Sequence, residues 1–325
     1  MNETENLVYR EFFANSDIPG VFDKTKWHGK PSDNSFSFVI GECDKCEPLS
    51  DIFDVRDRSL FKKKYNQAIN KNCKNKKQIS EEGNINRLHS SSLAALLFFY
   101  GIDEQHQIKL ELQTDGEKHE YTFYDSYFEV KTIVFKNHRP SNMDVVLEGH
   151  DENGLHVLLF LESKFSEYLN SGKESDISKE YRDMYQKLGL FDGSMDEIIA
   201  SGSTSIELKG TENVHYCEGI KQMISHYMGV SNYAEHGDEA LVENSQIKGK
   251  HPDVILLGEI LFKFDEKVDP KGKYGIYAED YRKLARTINE KNQLKKLRVL
   301  KDVLCYQKIE NKALDIRVKR FYQYH

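Results

Sequence analysis

The chain has 325 residues, 38% of them hydrophobic, with 18 Tyr, 18 Phe and a formal net charge of −7. That length is ample for a real core in one large domain or two. No apolar run approaches the ~18–20 residues that span a bilayer, and a chain built to coat nucleic acid would be basic.

Five cysteines, an odd number, fit reduced thiols rather than a disulfide framework. The start, MNETENLVYREFF, is polar and acidic with no apolar signal segment, so a cytoplasmic location is expected. Over residues 1–50, Phe12, Phe13, Val21, Phe22 and Trp27 alternate with Gly, Pro, Asp and Ser, which predicts irregular structure wrapped on a domain. Cys43 and Cys46 have the spacing of half a zinc ribbon, but no second pair follows and Cys73 stands alone. Phe53, Leu60, Phe61 and Tyr65 form a thin helical stripe within 51–78. It lies beside a basic cluster of Lys62, Lys63, Lys64, Lys71, Lys74, Lys76 and Lys77, and a second basic run spans Lys291 to Lys301 with Lys295, Lys296 and Arg298. Each reads first as a solvated face, with nucleic-acid contact as the alternative.

Ser80-Glu-Glu-Gly-Asn opens a long helix that continues through Ile85, Leu88, Leu93, Leu96, Leu97 and Phe99 and ends before Gly101. Its middle, Arg87-Leu-His-Ser-Ser-Ser92, is unusually polar for a buried helix. Glu81 and Glu82 suit the positive end of the helix dipole, and His89 reads as a packing or hydrogen-bonding histidine. Ile108, Leu110 and Leu112 then alternate as a strand, Asp115-Gly116 is a turn, and Tyr121, Phe123 and Tyr124 follow. Phe128 to Phe135 is the strand before the next hairpin, and Glu129 reads first as part of its solvated face rather than as a site residue.

Two apolar runs, Met143 to Leu147 and Leu155 to Leu161, flank Gly149-His-Asp-Glu-Asn-Gly154, a set of turn formers that predicts a β-hairpin. The second run is apolar at nearly every position, as in strands buried on both faces. Asp144, Glu162 and Lys164 are therefore charges placed where the chain otherwise wants to be dry. If the turn centres on Asn153, Asp144 falls directly across from Glu162, and the period of two puts Lys164 on the same face. Two carboxylates so placed can hold one divalent cation; a cross-strand salt bridge is the plain structural alternative.

Pro140-Ser-Asn-Met-Asp144 followed by Glu162-Ser-Lys164 resembles the signature of the PD-(D/E)xK nuclease superfamily, the restriction-endonuclease-like fold, with Pro four residues before the Asp instead of adjacent. Leu161 to Leu169 further resembles a bacterial branch of restriction-like nucleases. The resemblance is sharp over about residues 85–230. It implies Asp144, Glu162 and Lys164 as catalytic residues, and Mg²⁺ or Mn²⁺ held by Asp144, Glu162 and the main-chain carbonyl of Ser163. The Ser163 side chain should point the other way. DNA is the implied substrate.

After the hairpin, Ser166 to Leu190 reads as an insertion plus a helix, and 191–210 as a Gly- and Ser-rich loop. Glu218 to Gly229 predicts a helix capped by Gly229, with Gln222 and His226 on one face. The pair resembles the Gln-x-x-x-Tyr motif of an exonuclease-like branch, with His226 where Tyr is usual, which implies a catalytic-site role for Gln222. Residues 251–258 and 260–264 look like two further strands, Tyr274 to Glu290 like an amphipathic helix, and 297–309 like mixed strand or helix.

The expected fold is α/β, a restriction-endonuclease-like core with a central mixed sheet flanked by helices. Residues 1–78 form an N-terminal extension, 79–270 the core and 271–325 a C-terminal extension of the same domain. The expected function is metal-dependent hydrolysis of phosphodiester bonds, with no membrane partner; a homodimer is compatible with it. The rivals are a non-catalytic nucleic-acid-binding module on the same fold, and an enzyme of another class using His89, Cys43 or Cys46.

Overall fold

The computed structural model describes residues 7–12, 53–68, 91–114, 116–136, 138–170, 181, 184, 187–188 and 218–324. The two apolar runs around Asn153 pair as β3 (Ser141–Asp151) and β4 (His156–Lys164). Their antiparallel ladder runs from His150 opposite His156 to Val145 opposite Leu161, the register expected from the sequence. Asp151 Oδ1 accepts the N–H groups of Asn153 and Leu155, both at 2.9 Å, and Gly154 takes φ of 80°. A side-chain-capped turn with glycine in the left-handed region thus fixes the pairing.

The other strands are β1 (Ile108–Gln113), β2 (Lys118–Thr132), β5 (Val254–Leu261), β6 (Leu297–Val299) and β7 (Leu304–Cys305). The sheet order is β1-β2-β3-β4-β5-β6, with β7 also on β5. Pairing is antiparallel from β1 to β4 and parallel from β4 through β5 to β6 and β7. This is the mixed α/β sheet expected from the sequence. It curls, because the Lys301 N–H reaches Gln113 O at the far edge, 2.8 Å away. Residues 251–264 make one strand, not two: β5 runs unbroken through Gly258, where a Cβ would collide with the Leu300 side chain. β5 is buried at every position and β4 from Val157 onward, as central strands covered on both faces must be. Each buried Leu, Val or Phe there contributes roughly 1.5–3 kcal/mol.

Five helices flank the sheet among the described residues: α1 (Arg58–Ala68), α2 (Ser91–Phe99), α3 (Glu218–His236), α4 (Lys273–Lys291) and α5 (Ile316–Phe321). None is long and apolar enough to cross a membrane. The alternation of β4 decides which helix meets which side chain. Phe160 and Glu162 face α3, through a Phe160–Tyr233 ring contact of 5.9 Å and Gln222. Ser163 turns the other way, as expected, toward Ser91 O of α2 and the Tyr306 hydroxyl, 3.0 and 2.7 Å away. All of α2 is buried. Residues after β7 close over it: Asn311 donates to Phe98 O, and Asp315 binds Tyr100 and Arg56.

Two sequence expectations are corrected here. Lys64 is not on a solvated face. It is buried, and its ammonium donates to Asp125 and Ser126 O. Lys62 and Lys63 are exposed, and the rest of that cluster lies outside the described residues, as does the 191–210 loop. Gly229 does not cap its helix. α3 continues to His236, and Gly237, with φ of 60°, stands just past its end. Gly229 is instead where α3 crosses the sheet: a Cβ there would overlap Thr132 Oγ1 and lie 3.1 and 3.2 Å from the Cβ atoms of Thr132 and Ser141.

That contact predicts the sign of a substitution. On an open helix face Gly→Ala stabilises by up to about 1 kcal/mol. Gly229→Ala should instead destabilise by about 1–3 kcal/mol, and adding Thr132→Ala should recover most of the loss in urea unfolding. A stabilised Gly229→Ala would refute the close packing.

Candidate active site

β4 carries Glu162-Ser163-Lys164 at its C-terminal end, one step beyond the last ladder pair of the hairpin, with Asp144 on β3. Asp144, Glu162, Lys164 and His226 are all buried. The Lys164 ammonium donates to Glu162 Oε1 at 2.8 Å. Gln222 closes a triangle with them: its carbonyl accepts from Lys164 and its amide N–H donates to the same Glu162 oxygen. Asp144 Oδ1 accepts from Ser92 Oγ at 2.7 Å and Oδ2 from the Ser163 N–H at 2.9 Å. Hence Asp144, Glu162, Lys164 and Gln222, picked out in the sequence, come together at one end of the sheet.

α3 supplies a second side chain, one turn after Gln222. His226 Nδ1 is 2.6 Å from Ser141 Oγ, and its Nε2 is 3.0 Å from Glu162 Oε2. That second contact has the length of an ion pair, and both atoms are buried with no other hydrogen-bond partner.

Two further carboxyls border the site. Glu129 was expected on a solvated face, but it is buried. Its backbone takes φ of 51°, Phe128 and Val130 keep one register on either side of it, and its carboxylate accepts from Asn142 on a stretch of β2 buried on both faces. Glu259 pairs in register with Glu162 across the parallel β4–β5 ladder and accepts from the Tyr277 hydroxyl of α4 at 2.7 Å. Sequence reasoning passed over Glu259 and Ser92. The signal for Glu259 was present: it is the one charge within Val254–Leu261, the same anomaly that exposed Glu162. Ser92 belonged to a stretch noted as too polar for its surroundings. Glu81, Glu82, His89, Cys43 and Cys46 lie outside the described residues.

Burial works against every one of these charges, and neighbours decide the outcome. For Glu162, burial raises the carboxyl, but Lys164 and His226 outweigh it and hold it down at about 2. For Lys164, burial lowers the ammonium, but Glu162, Glu259 and Glu167 hold it above its ordinary value. Burial, together with Glu162 and Glu129, pushes Asp144 well up. Burial alone dominates for Glu129 and Glu259, each raised to about 7. The site thus gathers four carboxyl groups around one lysine and one histidine, and burial holds three of the four toward the protonated form.

Such a donor set fits a small cation that prefers oxygen. Glu162 Oε2, buried with no hydrogen bond, is the donor best placed to receive it. Among the described residues, no three His, Cys, Asp or Glu side chains already converge as a metal cluster. The fit therefore rests on the Asp144 and Glu162 carboxylates, not on a ready-made cage.

The raised carboxyl of Glu259 has a measurable consequence. Its folded value of about 7 exceeds the ordinary 4.5. The folded state therefore holds the proton more tightly, and the resulting stability is full below about pH 4.5 and lost as pH rises through 7. Glu259→Gln should remove this loss. Between pH 5 and 8 the wild type should weaken relative to the variant by up to about 3 kcal/mol. Parallel pH profiles of urea stability for the two proteins would contradict this.

No curated protein and no solved structure matches the chain. One family model does, over residues 54–246. That segment contains Ser92, Asp144, Glu162, Lys164, Gln222 and His226, and leaves Glu259 outside. The match covers more than half of the chain, which therefore belongs to the family described as Restriction Endonuclease associating with ARP.

Proposed function

We propose that the chain is a metal-dependent deoxyribonuclease of the PD-(D/E)xK type, cutting DNA phosphodiester bonds at Asp144, Glu162 and Lys164. One observation carries this reading: a lysine and a glutamate, two residues apart on a dry strand, are locked together by Gln222 beside the aspartate of the neighbouring strand. The family description, a restriction endonuclease, supports the substrate class.

In this reading Asp144, Glu162 and the Ser163 carbonyl hold Mg²⁺ or Mn²⁺. When bound, that ion supplies a Lewis acid and lowers the pKa of water. The protein's own groups do the rest. Ser92 and the Ser163 N–H fix the Asp144 carboxylate. Lys164 stays protonated through its acidic neighbours and can neutralise charge on a phosphoryl oxygen or orient the attacking water. Gln222 restrains Lys164 and Glu162 together, so neither must be ordered when substrate arrives.

A second reading draws on one observation: both oxygens of Asp144 already accept hydrogen bonds from protein. The chain would then be a nucleic-acid-binding module that retains the fold without turnover.

Cleavage of single-stranded, duplex and nicked DNA with Mn²⁺ or Mg²⁺ separates the two. The nuclease reading expects metal-dependent cutting that falls about 100-fold or more in Lys164→Ala and in Asp144→Asn. Equal activity in all three proteins would remove the mechanism. DNA binding without cleavage under any of these conditions would favour the binding module.

A further inference from the structure

We infer that His226 is a ligand of the metal ion at this site, joining Glu162 through Oε2 and biasing the site toward Mn²⁺ over Mg²⁺. The inference rests on the metal-dependent reading above and adds to it a nitrogen donor from α3.

Glu162 Oε2 and His226 Nε2 are both buried, and neither has a hydrogen bond. They face each other at 3.0 Å. That is the length of an ion pair, and such a pair would hold a proton between the two atoms. Without that proton, two lone-pair donors would face each other in a dry site, which is costly. A cation shared between them removes the cost, and the spacing suits one: neighbouring vertices of an octahedron with bonds of about 2.1 Å lie about 3.0 Å apart.

The other imidazole nitrogen supports the same assignment. Nδ1 sits 2.6 Å from Ser141 Oγ. With the Nδ1 proton donated to that hydroxyl, Nε2 keeps its lone pair. This is the arrangement by which metal-binding histidines are oriented. The backbone supplies the rigidity. Ser141 opens β3, three residues before Asp144, and Gly229 lets α3 settle against Thr132 and Ser141. The i, i+4 spacing on α3 then brings Gln222 to one Glu162 oxygen and His226 to the other. Glu162 Oε1 is occupied by Lys164 and Gln222; Oε2 is the oxygen left for the ion.

Imidazole nitrogen favours borderline transition ions over Mg²⁺. A site with one histidine among carboxylates should therefore take Mn²⁺ more tightly than Mg²⁺, and the preference should shrink when the nitrogen is removed.

Electron spin-echo spectroscopy of bound Mn²⁺ reads the nitrogen directly. The wild-type full-length chain should show ¹⁴N coupling from imidazole. His226→Gln, which keeps the volume of the side chain, should lose that coupling while retaining its helical circular dichroism, and calorimetry should show its Mn²⁺ affinity fall about tenfold or more against an almost unchanged Mg²⁺ affinity. If Mn²⁺ binds, is lost in Glu162→Gln and Asp144→Asn, and shows no nitrogen coupling in the wild type, the role of His226 is refuted while the metal-dependent reading survives. If Mn²⁺ does not bind, or binds equally well in Glu162→Gln, both fall.

Discussion

A glutamate and a lysine two residues apart, at the end of a strand that is otherwise apolar, set the terms for everything around them. Removing each charge from water costs several kcal/mol, and mutual attraction offsets this only when the geometry is good and the remaining polar atoms are satisfied. Glu162 and Lys164 meet at 2.8 Å with Gln222 bonded to both. The strand that carries them is dry because β3, β5 and two helices enclose it. Hydrophobic burial along β4 and β5 is what holds the pair in place. The rest of the site is fitted to the pair: Asp144 is moored to Ser163 between the two charges, and α3 is brought low enough to reach them by a glycine.

That glycine shows how packing outranks local signals. Read alone, a Gly after an apolar helical stretch is a terminator. Gly229 is instead the point at which helix and sheet come closest, and the helix stops seven residues later at His236, before Gly237. The difference matters for chemistry. A helix ending at Gly229 could stand off from the sheet; one that continues past it is clamped to Thr132 and Ser141, which puts Gln222 and His226 within reach of Glu162.

The hairpin was legible because its evidence was local. Apolar runs, an Asp-Glu-Asn-Gly turn and three misplaced charges fixed strand, register and face together, and Gly154 supplied the conformation the turn requires. The central sheet was legible for the same reason. What escaped came from residues whose meaning depends on a distant partner. Glu259 matters because a parallel crossover lays it beside Glu162, nearly a hundred residues away in the chain. Glu129 looked like a solvated strand residue because a strand with one wet face was assumed, whereas β2 is buried at every position from Ser126 to Val130. Ser92 was seen as an oddity of composition and gained a role only when α2 was laid against Asp144.

A second polar cluster, partly buried at the other end of β3, contrasts with the charges around Glu162. There Lys64 binds Asp125, Lys250 binds Glu148, and the Tyr127 hydroxyl bridges the two carboxylates. The two ammonium groups lie over the Tyr127 ring, 5.1 and 5.3 Å from its centre. Two cations meet two anions, His156 adds a contact to Glu148 at 3.0 Å, and no side-chain atom of Lys64, Asp125, Tyr127, Glu148 or Lys250 is buried without a hydrogen bond. Such a network is complete in itself. Around Glu162 the same materials are left unbalanced. Glu129, Asp144, Glu162 and Glu259 surround one lysine, three of these carboxyls are forced upward by burial, and Glu162 Oε2 and His226 Nε2 remain without hydrogen bonds. The difference is one of completeness: the Lys64 cluster closes on itself, while the one around Glu162 keeps two buried polar atoms, Glu162 Oε2 and His226 Nε2, on which the proposed ion would act.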